Sequence, residues 1–131
     1  MDREGRIREL LAADGYASGL AIRLTGTDPV TVVMPITGDH LNFYDSTHGG
    51  AVFSLADCAL TLAANADGIP AVTIDSHLAL TAATSADDTL TATAEEVTRG
   101  RTLATYRVTL TRSDGRVAAL LTGTVRLSPP A

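Results

Sequence analysis

An aspartate stands in the middle of the longest apolar stretch of this sequence. Asp57 lies among Phe53, Leu55, Ala56 and Cys58. Burying a carboxylate there without a partner costs several kcal/mol, so a structural interpretation requires a hydrogen bond from a neighbouring backbone group. A partly desolvated carboxylate also has the raised basicity that proton transfer requires. The sequence favours this second interpretation, in which Asp57 is a catalytic carboxylate.

Three residues at the start of the same stretch could stabilise negative charge. His48, Gly49 and Gly50 stand at its beginning. The first backbone N–H groups of a helix have no intrahelical acceptor, and the helix dipole favours an anion there. Glycine also lets a ligand approach the backbone closely. A developing oxyanion could therefore bind at this end of the stretch.

The stretch itself is predicted to be one central helix over 49–67. Its apolar residues cover nearly every azimuth, which is typical of a helix that is buried on all sides. Ser46 or Thr47 could cap its start, and Gly68 would end it. The glycine at position 49 and the aspartate then lie about 12 Å apart, at about 1.5 Å per residue. They cannot both reach one carbonyl group from one chain, so a shared site requires two chains.

Strands are predicted on both sides of this helix. An N-terminal helical segment, 1–15, contains a helix over 6–13 that Gly15 would stop. Alternating apolar residues around a turn at 26–29 predict a β-hairpin, and four more period-two runs follow the central helix. The first of these runs places four apolar residues on one face: Val72, Ile74, Leu78 and Leu80. We expect an α+β fold, in which one antiparallel sheet wraps around the long helix as a single domain, 1–131.

Composition limits the functions that this chain can have. Apolar residues make up 45% and charged residues 19% of the chain, which predicts a compact globular protein. The net charge of −5 disfavours nucleic acid and anionic membranes as partners. Cys58 is the only cysteine, so an intrachain disulfide is excluded. Because the sequence also lacks a signal-peptide pattern and an apolar run of membrane-spanning length, we expect a cytoplasmic protein.

Five motifs within 39–127 point to a known family. They are Leu41-Asn42-Phe43, His48-Gly49-Gly50, Leu55-Ala56-Asp57, Thr105-Tyr106-Arg107-Val108 and Thr122-Gly123-Thr124-Val125. Together they resemble the phenylacetic acid degradation thioesterase family of hot-dog proteins. The resemblance implies hydrolysis of an aryl-acetyl-CoA, or of a short- to medium-chain acyl-CoA, to a free acid and coenzyme A. It also implies that no cofactor is needed, and that the protein forms a homodimer with interface sites or a homotetramer of two such dimers.

The same resemblance implies roles for individual residues. Asp57 matches the nucleophile or general base, and Gly49 matches the residue whose N–H binds the thioester oxygen. Asn42 and His48 match residues that support the site. Thr73 stands where related enzymes have a hydroxyl that positions the attacking water.

Four further residues are candidates for contacts with the substrate. Gly50 belongs to the helix start, and Thr61 lies one helical turn after the catalytic aspartate on the same face. Arg99 and Arg101 flank a predicted turn and could bind the phosphates of coenzyme A. One departure from the family concerns 80–82, which read Leu-Thr-Ala where many relatives have an aromatic residue followed by Arg-Pro.

Other activities of the same fold agree less well with the sequence. An enoyl-CoA hydratase would have a catalytic histidine where Tyr44 stands, five residues after Asp39. An acyl-carrier-protein dehydratase would need a glutamate in the central helix. A hot-dog protein that binds acyl-CoA without catalysis is the alternative from another class, because a fold does not determine function.

The remaining reactive side chains have structural interpretations. Cys58 points about 100° away from its neighbouring aspartate around the helix, so we expect a core residue rather than a nucleophile. His40 and His77 match no metal-ligand spacing, so we predict no metal site and expect both on the surface or on a strand face.

Overall fold

Six strands account for most of the chain. In the computed structural model, which describes residues 1–130, they are β1 (Arg23–Thr27), β2 (Val30–Pro35), β3 (Ala71–Leu80), β4 (Thr89–Arg99), β5 (Leu103–Thr111) and β6 (Val117–Leu127). They form one sheet in the order β1-β2-β4-β5-β6-β3, and every neighbouring pair is antiparallel. The predicted sheet and its N-terminal hairpin are confirmed. Ala131, the last residue of the predicted domain, lies outside the described residues.

One long helix lies against this sheet. The helices are α1 (Arg3–Ala13), α2 (Gly15–Gly19) and α3 (Gly49–Asn65), with a 3-10 turn over Gly38–His40. Helix α3 contacts β2 through β6, and its Leu55 and Leu60 are completely buried. The α+β architecture predicted from its apolar surface is therefore confirmed. No helix within residues 1–130 is long and apolar enough to cross a membrane.

Helix α3 ends two residues before the predicted position. The side chain of Asn65 binds both backbone groups of Ala71, with distances of 2.9 Å from the Ala71 N–H to Oδ1 and 3.2 Å from Nδ2 to the Ala71 carbonyl. These bonds join the last helical residue to the first residue of β3. The chain reverses between them at Gly68, whose φ of +89° favours glycine.

The N-terminal segment contains two helices, where the sequence predicted one. Gly15 begins α2 instead of stopping the first helix. Asp14 makes this junction, because its N–H donates to the Leu11 carbonyl at 3.1 Å and its Oδ1 accepts from the Ala17 N–H at 3.0 Å. One residue thereby ends α1 and caps α2, and β1 starts only at Arg23.

The prediction that four apolar residues share one face of β3 is wrong, because the strand contains a bulge. The pairing with β6 shifts between Thr73 and Asp75, so residues before and after this point alternate out of phase. Val72 and Ile74 are therefore exposed, and they do not share a face with Leu78. The shift places Thr73 beside the buried Val125 of β6, on the side of the sheet that faces α3. A polar residue thus occupies a core-facing position on an edge strand.

Gly123 lets the central helix approach the sheet closely. A Cβ atom at this position of β6 would lie 2.7 Å from Leu60 Cδ2, which is too close for carbon atoms. We expect Gly123→Ala to lower the free energy of unfolding by about 1–3 kcal/mol, because Leu60 is completely buried and cannot move into solvent.

Urea unfolding of wild type and variants tests this expectation. Gly38→Ala is the matched control, since no atom lies within 4 Å of the Cβ that it would add. Adding Leu60→Val to Gly123→Ala should recover part of the loss, because the two side chains share one space. Equal stability of Gly123→Ala and wild type would contradict the packing argument.

Candidate active site

The start of α3 presents one free backbone donor. His48 is the N-cap, and its Nδ1 accepts from the Gly50 N–H at 2.8 Å, so neither Ser46 nor Thr47 caps this helix as predicted. The Gly50 N–H is therefore occupied. The Gly49 N–H has no acceptor within residues 1–130. Of the two glycines, Gly49 is the one that can donate to a ligand.

Hydrogen bonds hold the loop before α3 in place. Asn42 Oδ1 accepts from the N–H groups of Tyr44 at 2.9 Å and Ser46 at 3.2 Å, which closes a tight turn. The Thr47 N–H then donates to the Thr84 carbonyl at 2.9 Å, and the hydroxyls of these two threonines are joined at 2.5 Å. The loop is attached to the chain after β3, so the helix start has a defined position relative to the sheet.

His40 differs from the expectation for a surface histidine. It is buried, its Nδ1 accepts from the Thr37 N–H at 3.1 Å, and its carbonyl accepts from the His48 N–H at 2.7 Å. It therefore supports the residue that caps α3. His77 is exposed on β3, as expected. Within residues 1–130, no cluster of His, Cys, Asp and Glu side chains is arranged to hold a metal ion.

The free N–H opens into a cleft of about 340 Å³, which we call the amide cleft. Asn42, Gly49, Leu80 and Thr84 are among its lining residues. Leu80 Cδ1 lies 3.3 Å from the position that a Cβ on Gly49 would take, so a larger residue would crowd this cleft. The amide cleft thus combines a free donor with an apolar wall.

Asp57 lines a different cleft, of about 240 Å³, which we call the carboxylate cleft. Its other lining residues include Asp14, Tyr16 and Thr61. No donor within residues 1–130 makes a hydrogen bond to the half-buried Asp57 carboxylate, so the backbone hydrogen bond that the structural interpretation requires is not made. Burial, and then the charge of Asp14, raise the pKa of Asp57 above its ordinary value of 3.8. An unpaired carboxylate of raised basicity is suited to accept a proton.

The hydroxyl groups of Thr61 and Thr73 have different surroundings. Thr61 lines the carboxylate cleft, but its hydroxyl donates to the Asp57 carbonyl at 3.0 Å. Thr73 Oγ1 is buried and has no hydrogen-bond partner within residues 1–130. Buried hydroxyls are nearly always paired, so Thr73 is an exception within the described residues.

The two arginines predicted to contact phosphates are unlike each other. The Arg99 guanidinium forms ion pairs with Asp67 at 2.5 Å and Glu96 at 3.3 Å, and it donates to the Tyr106 hydroxyl at 3.3 Å. These bonds tie the β4–β5 turn to the end of α3. Arg101 is exposed in the same turn. Neither arginine lines the amide cleft or the carboxylate cleft.

Cys58 is a core residue, as predicted. Its side chain is buried, and burial together with the charges of Asp14 and Asp57 raises the pKa of the thiol to about 12. The thiol is protonated near neutral pH, whereas a nucleophilic cysteine reacts as the thiolate.

Asp14 is the site residue that sequence reasoning missed. Its position in a polar N-terminal segment identifies it at most as a helix cap. Only the packing of α2 against α3 brings its carboxylate into the cleft of Asp57. No local pattern records a contact between residues more than forty positions apart.

Comparison with known proteins agrees with this arrangement. A model of a family described as the thioesterase superfamily matches residues 44–119, which is more than half of the chain. The acyl-coenzyme A thioesterase PaaI of Escherichia coli is 34% identical over 112 residues, covering 84% of this chain and 80% of that protein. The chain belongs to the thioesterase superfamily. It is a thioester hydrolase with the hot-dog fold, and the resemblance of its motifs to the phenylacetic acid degradation thioesterases is confirmed.

Solved structures of relatives share the whole fold of this thioesterase. The Escherichia coli PaaI protein, from the phenylacetic acid degradation operon, superposes with a TM-score of 0.94 over 98% of this chain and 95% of that one. The identity in this superposition is 29%. A thioesterase protein of Streptococcus pneumoniae, solved with coenzyme A, has a TM-score of 0.78 and 29% identity over 82% of this chain and 85% of that one.

Replacing the Asp57 carboxylate should stabilise the folded thioesterase near neutral pH. Asp57 has a raised pKa when folded, so its contribution to stability is complete below pH 3.8 and is lost as the pH rises through the folded pKa. Asparagine imitates the neutral carboxyl group at every pH. We therefore expect Asp57→Asn to have a higher Tm than wild type at pH 7 and nearly the same Tm at pH 3.

Thermal unfolding at both pH values measures this difference. Asp28→Asn, at an exposed turn, is the matched control and should leave the Tm unchanged at both. A lower Tm of Asp57→Asn at pH 7 would show that the carboxylate is satisfied in the folded protein, and the argument from its missing donors would fail.

Proposed function

We propose that this thioesterase hydrolyses acyl-CoA esters, either aryl-acetyl-CoA or short- to medium-chain acyl-CoA. The observation that carries the proposal is the Asp57 carboxylate, which is half-buried in an apolar helix and lacks a hydrogen-bond donor. Natural proteins rarely keep such a group without a use for its basicity. The coenzyme A bound to the Streptococcus pneumoniae relative, and the name of Escherichia coli PaaI, support coenzyme A as the thiol part of the substrate.

The chemistry follows from the free N–H and the free carboxylate. A water molecule adds to the thioester carbonyl carbon while Asp57 takes its proton, and the carbonyl oxygen becomes an oxyanion bound by the Gly49 N–H. The C–S bond then breaks, and the departing thiolate takes the proton from Asp57. Direct attack by Asp57 on the carbonyl, through an anhydride that water hydrolyses, uses the same two groups. Thr73, with its unpaired hydroxyl, is suited to hold the water.

A second copy of the chain is part of this proposal. Eight residues separate Gly49 from Asp57, about 12 Å along one helix, and they line different clefts. The edge strand β3 has one side unpaired and exposes Val72, Ile74 and Leu80, at 67%, 58% and 58% of their surface. Exposed apolar edge strands pair with another strand unless they are protected. Pairing of two β3 strands gives a homodimer, and two such dimers can form a tetramer.

The geometry of β3 supports sharing of the site between the two copies. A two-fold axis through the middle of β3 brings the Thr73 end of one copy beside the Leu80 end of the other. Leu80 lies against Gly49 within its own chain. With Thr73 assigned to the catalytic carboxylate by the family resemblance, this pairing brings the carboxylate half of one chain beside the amide half of the second. Arg101, exposed at the β4–β5 turn, is then the better of the two arginines for contact with coenzyme A phosphates.

Variants of the Streptococcus pneumoniae relative give support of another kind. Its structures include one in which an aspartate is replaced by alanine and one in which a threonine is replaced by alanine. These two positions are sixteen residues apart in that chain, the same spacing as between Asp57 and Thr73 here. The spacing supports Asp57 and Thr73 as the corresponding pair.

Removing the carboxylate should abolish most of the hydrolysis. We expect the wild type to release free thiol from at least one member of a panel of aromatic and aliphatic acyl-CoA esters, and Asp57→Ala to reduce kcat by about 10²-fold or more, as for loss of a general base. Thiol release is followed with a chromogenic thiol reagent, which the buried Cys58 should not react with in the folded chain.

Glu9→Ala, exposed on α1 and outside both clefts, is the control for a nonspecific effect of losing a carboxylate. If wild type hydrolyses no ester of the panel, or if Asp57→Ala is as fast as wild type, the proposed function is wrong.

Mixing two inactive variants should restore activity if the site is shared. Gly49→Pro removes the N–H and adds ring carbons near Leu80. The helix should still form, because proline is tolerated at the first helical position and His48, with ψ of 135°, has a backbone compatible with a following proline. Mixed dimers of Asp57→Ala and Gly49→Pro contain one complete site. Random exchange of chains in equal amounts should therefore recover about a quarter of wild-type activity.

Gly49→Ala is the matched control, because it keeps the N–H and adds one methyl group near Leu80. It should lose less activity than Gly49→Pro. If the variants exchange chains, as shown by mass-labelled subunits, and no activity returns, then each chain would have to contain its own site.

A further inference from the structure

We propose that Asp14 is a positioning residue for the reaction, an electrostatic partner that keeps the Asp57 carboxylate basic. The inference rests on the proposed function of Asp57 and extends it to the N-terminal segment. Both carboxylates line the carboxylate cleft of about 240 Å³, although they come from different elements. Asp57 belongs to the middle of α3, and Asp14 stands at the junction of α1 and α2.

The junction holds Asp14 firmly. Its backbone N–H donates to the Leu11 carbonyl, and its carbonyl accepts from the Ser18 N–H at 3.0 Å. Its Oδ1 accepts from the Ala17 N–H at 3.0 Å, and its Oδ2 has no donor within residues 1–130. Asp14 is also half-buried, so it is shielded from water on one side. A cap of this kind holds the carboxylate at a constant place, which a mobile surface side chain cannot do.

A short chain of hydroxyl groups holds α2 against α3. The Tyr16 hydroxyl is 3.0 Å from Ser54 Oγ, and Ser54 Oγ donates to the Gly50 carbonyl at 2.8 Å. The contact joins α2 to the first turns of α3. Along α3 it lies between the Gly49 N–H and the Asp57 carboxylate, the two groups that the proposed reaction uses. It fixes α2 over the carboxylate cleft, and with it the separation of Asp14 from Asp57.

No opposite charge in the cleft offsets the repulsion between the two carboxylates. From α2 the cleft receives the Tyr16 hydroxyl, from α3 itself the Cys58 thiol and the Thr61 hydroxyl, and from the chain before β1 the apolar Ile22. The amide cleft, which the second copy would contribute, has no charged lining residue. Asp14 is thus the charged group that faces Asp57, and like charge disfavours the ionised form. The charge of Asp14 and the burial of Asp57 both raise the pKa of Asp57.

Neutral caps at position 14 test the inference. Asp14→Asn and Asp14→Ser keep an oxygen that can accept from the Ala17 N–H and remove the charge. Asp2→Asn is the matched control, because Asp2 caps α1 in the same way, through the Gly5 N–H at 2.7 Å, and does not line the cleft. The titration of Asp57 is followed by ¹³C NMR of aspartate carboxyl groups, with its signal assigned by its loss in Asp57→Asn.

The full-length protein is used, and the pH profile of kcat/KM for a hydrolysed acyl-CoA is recorded for the same variants. We expect the midpoint of the Asp57 titration to move to lower pH in Asp14→Asn and Asp14→Ser. The acidic limb of the kcat/KM profile should move with it. Asp2→Asn should leave both unchanged. In wild type, added NaCl should lower the midpoint by more than in Asp14→Asn, because salt screens the interaction of two partly exposed charges. This comparison needs only one folded neutral variant.

The outcomes separate this inference from the proposed function. If the midpoint stays at the wild-type value in folded Asp14→Asn and Asp14→Ser, Asp14 is a structural cap and the inference is overturned. If the midpoint falls but wild type hydrolyses no thioester, the partnership of the two carboxylates stands and the proposed function fails. If the variants lose thermal stability without any change in midpoint or pH profile, the role of Asp14 is confined to capping α2.

Discussion

Helix α3 lies against one face of a sheet that curls around it. This contact is tightly packed and apolar, and the rest of the structure depends on how little room it leaves for polar groups. Leu55 and Leu60 are completely buried, and Gly123 allows the helix to approach the sheet more closely than any larger residue would. In such surroundings a carboxylate keeps its charge only at a cost. Asp57 is therefore held at the border of the core, where its basicity is raised and one side opens to a cleft.

The helix also determines where the parts of the site can be. Its start offers the Gly49 N–H, because the His48 side chain uses the neighbouring Gly50 N–H as a cap. Its middle offers Asp57, about 12 Å away along the axis. A rigid helix cannot bring these groups together, so under the proposed function the two clefts of one chain are halves of a site. The unpaired edge of β3, with the bulge that directs Thr73 inward, is the place where a second copy can complete it.

In the proposed role of Asp14, the N-terminal helices take part in the chemistry as well as in packing. Asp14 ends one helix, begins the next and places a second negative charge in the cleft of Asp57. Such an arrangement costs stability, because two carboxylates in one poorly solvated cleft repel each other. Enzymes commonly accept this cost at the residue that transfers the proton. The hydrogen bond between Tyr16 and Ser54 keeps the two elements together against this repulsion.

The sequence by itself determined the sheet, the central helix and the family, because hydrophobic periodicity and short motifs are local properties. It also made Asp57 and Gly49 candidates for the site, since an aspartate in an apolar helix is anomalous in any fold and a glycine at a helix start leaves its N–H open to a ligand. Only the tertiary structure decided what these residues contact. The bulge in β3, the end of α3 at Asn65 and the cap by His48 depend on hydrogen bonds whose energies are comparable with those of the alternatives. The meeting of Asp14 with Asp57 depends on packing between distant segments, which no local pattern contains.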